Sequence, residues 1–226
     1  MLRALSFDVD GTLFDLRQMK RVFAWTALKN ARFLSAFLKA REEVRALGAV
    51  PDVRAEQDER VARALGITVE RARALSQRVI YEEWVEIFDK VEPIPGVREA
   101  LSAFAAAGLK LATVSDYLAA PKLSRMKLDH VRWDADVGAE VLGALKPHPR
   151  SFAEVAKRLG LPAEDILHVG DRLDADVAGA HAVGMRAALF TAGNARRWEA
   201  LAGAREPELV FDDYRALGHH LGIPPW

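Results

Sequence analysis

The chain contains no cysteine. Disulfides, thiolate metal sites and cysteine nucleophiles are therefore excluded. It has no apolar run approaching the ~20 residues a membrane-spanning helix requires. A secretory h-region would have to run through Asp8 and Asp10, and both interrupt it. The surplus of positive charge that non-specific nucleic-acid binding needs is also missing, because 32 basic residues face 32 acidic ones. No internal repeat or low-complexity tract is present. What remains is a chain of 226 residues, 50% of them hydrophobic, which is enough for one large domain or for a core domain carrying an insertion. The expectation is a soluble cytoplasmic protein, monomer or homodimer, with no nucleic-acid or membrane partner.

Short apolar runs punctuate the sequence. Residues 3–7 end at Asp8, Leu109 to Val114 at Ser115, Asp165 to Val169 at Gly170-Asp171, and Met185 to Phe190 at Thr191. Helix-like segments lie between them at Val97 to Ala107, Pro121 to Lys127, Pro149 to Leu159 and Asp174 to Val183. Strands and helices alternating at this spacing predict βαβ units and a parallel sheet covered on both faces. In such sheets ligands lie beyond the carboxyl ends of the strands, and every residue with chemical potential here falls at the end of a run. Residues 16–92 read as helix throughout. Phe33, Leu34, Phe37 and Leu38 recur at helical spacing and Gly48 to Pro51 breaks the pattern. A second helix runs to about Leu65, Thr68 is set to cap a third, and Tyr81 to Val91 is helical again. The division expected is an α/β core from residues 1–15 and 93–226, with a helical cap from residues 16–92.

The chemistry concentrates in four places. In Asp8-Val9-Asp10-Gly11-Thr12 the residues at i and i+2 of an extended chain point the same way, so two carboxylates sit together at a strand end. Like charges that close call for a shared proton or a cation, and an all-oxygen ligand set suits Mg²⁺. Gly11 lets the chain turn sharply after the pair. The segment Gly170-Asp171-Arg172-Leu173-Asp174-Ala175-Asp176 crowds three carboxylates into about one turn. The plain explanation, a helix N-terminus capped by Asp174, leaves Asp171 at the strand end unexplained, and Asp171 is the expected direct metal ligand. Lys146, in a proline-flanked turn, is placed to neutralise a phosphoryl group and orient a nucleophile. The Ser115 hydroxyl at a strand end is placed to donate to a phosphate oxygen.

In this order, these pieces resemble the D-x-D-G-T, strand-end Ser/Thr, K-P and G-D-x(4)-D motifs of the haloacid dehalogenase-like hydrolase superfamily. The resemblance extends from Asp8 to about Phe190, and the inserted helices look like that family's C1-type cap. It implies a Rossmann-like core and a Mg²⁺-dependent phosphatase acting on a small phosphorylated metabolite through a phospho-aspartate. Asp8 matches the nucleophile and Asp10 the general acid and base. Ser115 and Lys146 match the phosphate-binding pair, with Asp116, Gly11 and Thr12 in the substrate-binding loops. Asp8, Asp10, Asp171 and Asp176 match the metal-binding group, with Asp176 often acting through water. Asp116 stands where many relatives carry asparagine, and its charge bears on phosphate affinity. A 2-haloacid dehalogenase, a phosphosugar mutase and a non-catalytic phosphate-binding protein are the alternatives on the same fold. Asp10 and Asp171 argue against the first, and the intact motifs argue against the last.

Smaller expectations follow. The stretch Arg17 to Arg45 carries eight Lys/Arg against Glu42 and Glu43, a solvated face or a draw for anionic substrates. Trp25, Trp84, Phe33 and Phe37 are assigned to the interior of the helical insertion. His168 is read as packed inside its strand and not as a ligand, and the tail from Gly222 as docked or frayed.

Overall fold

The computed structural model describes residues 1–191 and 206–226. Its centre is a six-stranded sheet of β1 (Ala4–Phe7), β2 (Lys110–Ser115), β3 (Ala135–Gly138), β4 (Ile166–Gly170), β5 (Arg186–Phe190) and β6 (Leu209–Phe211). The spatial order is β3-β2-β1-β4-β5-β6, and every neighbouring pair is parallel. This is the doubly wound, Rossmann-like α/β arrangement the alternation predicts. The chain reverses its direction of travel across the sheet between β1 and β4, so the ligand crevice of such a sheet opens beyond those two strands.

Alternation along the strands gives each face its own core. Leu5, Phe7, Leu111, Leu167 and Val169 point to one side, where α6 (Val97–Ala106), α7 (Ala120–Arg125) and α10 (Tyr214–His220) cover them. Ala4, Ala112, Val114 and Ile166 point to the other, against α8 (Arg150–Leu159) and α9 (Ala178–His181). The four apolar runs read from sequence are β1, β2, β4 and β5. β3, β6 and α10 escaped that reading, because Ala-Asp-Val-Gly and Leu-Val-Phe are too short to show a period. The tail is docked: the Trp226 ring meets Phe104 edge-on at a centroid distance of 5.8 Å.

Between β1 and α6 the chain is helical: α1 (Leu16–Lys29), α2 (Ala31–Leu47), α3 (Val53–Leu65), α4 (Val69–Ser76), a π-helical stretch Gln77–Glu83, α5 (Trp84–Glu86) and a 3₁₀ turn Ile87–Lys90. Thr68 caps α4 as expected, its hydroxyl accepting from the Arg71 amide at 3.2 Å. The basic stretch Arg17 to Arg45 is two helices and not one. Asn30 turns its side-chain amide back onto the Thr26 carbonyl and ends α1 there. Phe23, Phe33, Phe37, Val61, Ala72 and Val79 form a separate core for these helices. Trp25 does not join it and is 66% exposed. Two residues from buried Phe23, it faces the opposite side of α1, where the Lys29 ammonium lies over its ring.

Candidate active site

β1 delivers Asp8 directly into the crevice. The Asp8 amide donates to the Val169 carbonyl of β4 at 2.8 Å, so the two strand ends stay in register to their last residue. The chain then turns through Gly11, whose φ of +99° a side chain would resist. Close packing reinforces this, since a Cβ there would lie 2.6 Å from Asp171 Oδ2. The turn is anchored from behind by Tyr214 of α10, a buried residue whose hydroxyl donates to the Thr12 carbonyl at 2.9 Å. Nothing in the sequence pattern marks Tyr214 for this task.

Asp8, Asp171 and Asp176 each bring a carboxylate oxygen to one place, all within 4.8 Å of one another. Lys146 reaches the same spot. Its Nζ donates to Asp8 Oδ1 at 2.5 Å and to Asp176 Oδ1 at 2.6 Å. The Thr12 hydroxyl donates to Asp8 Oδ2 at 3.2 Å, so it faces the carboxylate from inside the turn. Burial drives the Asp8 carboxyl well above its ordinary range despite Lys146, with Asp176 and Asp171 adding to the push. Burial and the Asp176 charge raise Asp171 to about 7. Burial acts upward on Asp176 too, but Lys146 and His168 outweigh it and hold that group below the usual carboxylate range. Lys146 is the reverse case: burial favours its neutral form, and Asp176 and Asp8 more than restore the charge.

Three carboxylates against one ammonium leave the cluster short of positive charge. Asp171 shows the deficit most directly, because its Oδ1 is buried with no hydrogen-bond partner among the described residues. An all-oxygen donor set with an unused buried oxygen fits a hard divalent cation. Asp10 stands apart from this group. Its carboxylate is held by the Lys122 ammonium at 2.6 and 2.7 Å, and that ammonium lies over the rings of Trp84 at 4.6 Å, Tyr117 at 5.2 Å and Phe88 at 5.4 Å. Lys122 is 2% exposed. In the sequence it reads as one more basic residue on a short helix, and only the fold brings it to Asp10. Trp84 accordingly belongs partly to this aromatic enclosure.

The second acidic motif is built differently from the plain expectation. Asp174 does not cap the following helix; it pairs with the Arg172 guanidinium at 2.8 Å. Asp176 takes the capping contact through Oδ2, which accepts from the Arg172 amide at 3.0 Å. The helix opens with a π-helical turn, Leu173–Val177, and this wider turn places the residue four after Arg172 back over the Arg172 amide. Gly170 has no room for a side chain because Asp176 packs against it. His168 lies in β4 as expected. Its Nδ1 is 2.9 Å from the Ser6 hydroxyl and its Nε2 is 3.5 Å from Asp176, and burial lowers its pKa.

Ser115 ends β2, buried, on the same edge of the sheet as Asp8. The charge of Asp116 does not stand free beside it. Oδ2 pairs with Arg45 at 2.9 Å and faces Arg41 at 3.8 Å, and Oδ1 accepts the Lys146 amide at 3.0 Å. Burial alone would raise the Asp116 carboxyl, but Arg41, Arg45 and Lys146 together bring it below its ordinary value. Both arginines come from α2.

A doubly wound parallel sheet with an acidic cluster at its switch point defines an α/β enzyme built around strand-end aspartates. The family model described as haloacid dehalogenase-like hydrolase matches residues 2–184, and the chain belongs to that family. Among curated proteins it is 30% identical over 227 residues to glyceraldehyde 3-phosphate phosphatase of Methanopyrus kandleri, with 96% of each chain covered. It is 28% identical over 253 residues to phosphoglycolate phosphatase of Salmonella typhimurium, covering 99% of this chain and 94% of that one. Among solved structures, L-2-haloacid dehalogenase from Xanthobacter autotrophicus matches with a TM-score of 0.69 at 20% identity, over 99% of this chain and 100% of that one. A HAD phosphatase from Thermococcus onnurineus matches at 0.64 and 22%, with 98% of each covered. At these identities the structural likeness is one of fold.

Proposed function

We propose that the chain is a Mg²⁺-dependent phosphatase that hydrolyses a small phosphomonoester through a phospho-aspartate on Asp8. By family and by its relatives it is a phosphoric monoester hydrolase; the cation, the intermediate and the residue roles are the finer reading. The observation that carries it is the convergence of Asp8, Asp171 and Asp176 around Lys146 at the switch point of the sheet. We assign residues 1–15 and 93–226 to the α/β core and residues 16–92 to a cap.

Asp8, Asp171 and Asp176 would hold the cation, whose charge offsets that of the phosphoryl oxygens. An Asp8 oxygen forms a bond to phosphorus as the ester P–O bond breaks, and Asp10 gives the departing oxygen its proton. Asp10 then takes a proton from the water that attacks the phospho-aspartate, releasing phosphate and restoring Asp8. Lys146, the Ser115 hydroxyl and backbone amides near Asp10 and Asp116 stabilise the equatorial oxygens. Lys122, which contacts both oxygens of the Asp10 carboxylate, fixes where that group stands. The names of the relatives make glyceraldehyde 3-phosphate and phosphoglycolate the first substrates to try.

Asp8→Asn is expected to abolish phosphate release from these esters, and from an aryl phosphate, without loss of the folded state by circular dichroism. EDTA is expected to silence the unaltered protein and added Mg²⁺ to restore it. Turnover persisting in Asp8→Asn removes Asp8 from the chemistry, and halide release from a 2-haloacid without phosphate release selects the dehalogenase reading instead.

A further inference from the structure

The segment that presents Lys146 is gripped by the helical insertion along its length. Arg54 of α3 donates to Glu140 at 2.7 Å. The Val50 amide, between α2 and α3, donates to the Gly143 carbonyl at 2.7 Å, and Ala49 and Ala144 form an isolated antiparallel bridge. Gly143 has a φ of +76°, and a Cβ on it would run into the Val50 carbonyl. At the end of the segment Arg45 of α2 donates through one nitrogen to the Lys146 carbonyl and through another to Asp116. Asp116 in turn accepts the Lys146 amide. Both polar groups of the Lys146 backbone are therefore held by one ion pair, half of which belongs to the insertion. The pair is well shielded, with side-chain exposures of 14% for Arg45 and 16% for Asp116. At the far end of the same side chain, the Lys146 ammonium bridges Asp8 and Asp176.

The geometry points to Arg45 and Asp116 as positioning residues that lock the Lys146 ammonium against Asp8 only while the insertion is seated on the sheet. The inference rests on the phosphatase reading for its kinetic consequence, though not for its structural one. Without Arg45 the Lys146 carbonyl loses this donor and the backbone carrying the ammonium is less constrained; with it, the ammonium is held at the nucleophile. The charge of Asp116 then has a use that a neutral asparagine lacks. An asparagine in its place keeps an acceptor for the Lys146 amide but loses the ion pair with Arg45. Displacement of a catalytic group by about 1 Å costs up to about 10²-fold in rate.

The test compares Arg45→Met, Asp116→Asn and the double variant. The expected result is a fall in kcat of about tenfold or more for Arg45→Met, with KM for the phosphate ester changed by less than about threefold, inside the range that misplacement allows. Because the two side chains act through one lock, the double variant is expected to be no slower than Arg45→Met alone. Gly143→Ala, whose methyl would press on the Val50 carbonyl beside the Arg150 guanidinium and so push the insertion off the same segment, is expected to lower kcat in the same direction. The independent readout is amide hydrogen exchange at Lys146 followed by NMR, expected to accelerate at least about tenfold in Arg45→Met. Unchanged exchange there overturns the lock whatever the activity, as does a pair of single-variant effects that multiply in the double variant. A loss of thermal stability with kcat and KM intact overturns it too. If the unaltered protein hydrolyses no phosphate ester, the functional reading fails, and the exchange experiment still decides the lock.

Discussion

Lys146 is the residue on which the electrostatics of the site turn. Among the described residues it is the ammonium in contact with both Asp8 and Asp176, each of them buried. Taking out one partner of a buried ion pair leaves the other uncompensated, at a cost of about 3–5 kcal/mol. Lys146→Met is expected to lower the free energy of unfolding in urea by that amount. Turnover should fall by about 10²–10³, as for loss of one preorganised donor to a developing charge. Asp116 was legible as a departure from the motif pattern that the sequence resembles. The compensation was not legible, because Arg45 and Arg41 lie 71 and 75 positions away in the sequence and meet Asp116 only through the docking of α2. The same separation hid Lys122, whose partner Asp10 is 112 residues distant.

At the scale of elements, helices and strands with a full period could be read directly. β1, β2, β4, β5, α6 and α8 fall within a residue or so of where periodicity puts them. β3 and β6 have three or four residues each and take their form from pairing with a neighbour already in place. The edge at β5 and β6 also carries a local charge device. Arg186, opening β5, forms a two-pronged contact with Glu208 just before β6, and His220 joins at 3.0 Å. The Arg186 hydrogen bond outweighs burial and holds the Glu208 carboxyl at about 2, below its ordinary 4.5. A folded-state value below the unfolded one means a contribution that is complete above pH 4.5 and disappears as pH falls toward 2. Glu208→Gln is therefore expected to flatten the stability–pH curve between those values, measured by thermal melts at stepped pH. The effect is small because the pair is partly exposed.

For the whole molecule the same deficit of positive charge should couple folding to cation binding. The orphaned Asp171 oxygen and the raised carboxyl of Asp8 identify a cluster that a bound divalent ion relieves. At a concentration 100 times its Kd, a ligand specific to the native state stabilises by about 2.7 kcal/mol. Mg²⁺ is accordingly expected to raise the melting temperature of the unaltered protein, and Asp171→Asn to reduce that rise sharply even if its melt without the ion is higher. An equal Mg²⁺ response in both proteins would show the ion binding elsewhere.

Local pattern is enough to set the βαβ alternation, the position of each strand-end carboxylate and the helical character of residues 16–92. Each of these follows from local periodicity and from residues adjacent in the chain. Which charges meet is a matter of packing. Packing pairs the Asp10 side chain with Lys122, passes the capping contact from Asp174 to Asp176, and enlists Tyr214 and Arg45 in support of the site. Ion pairs and caps of this kind depend on distances between elements far apart in sequence. Those distances are set only when the two faces of the sheet and the helical insertion pack.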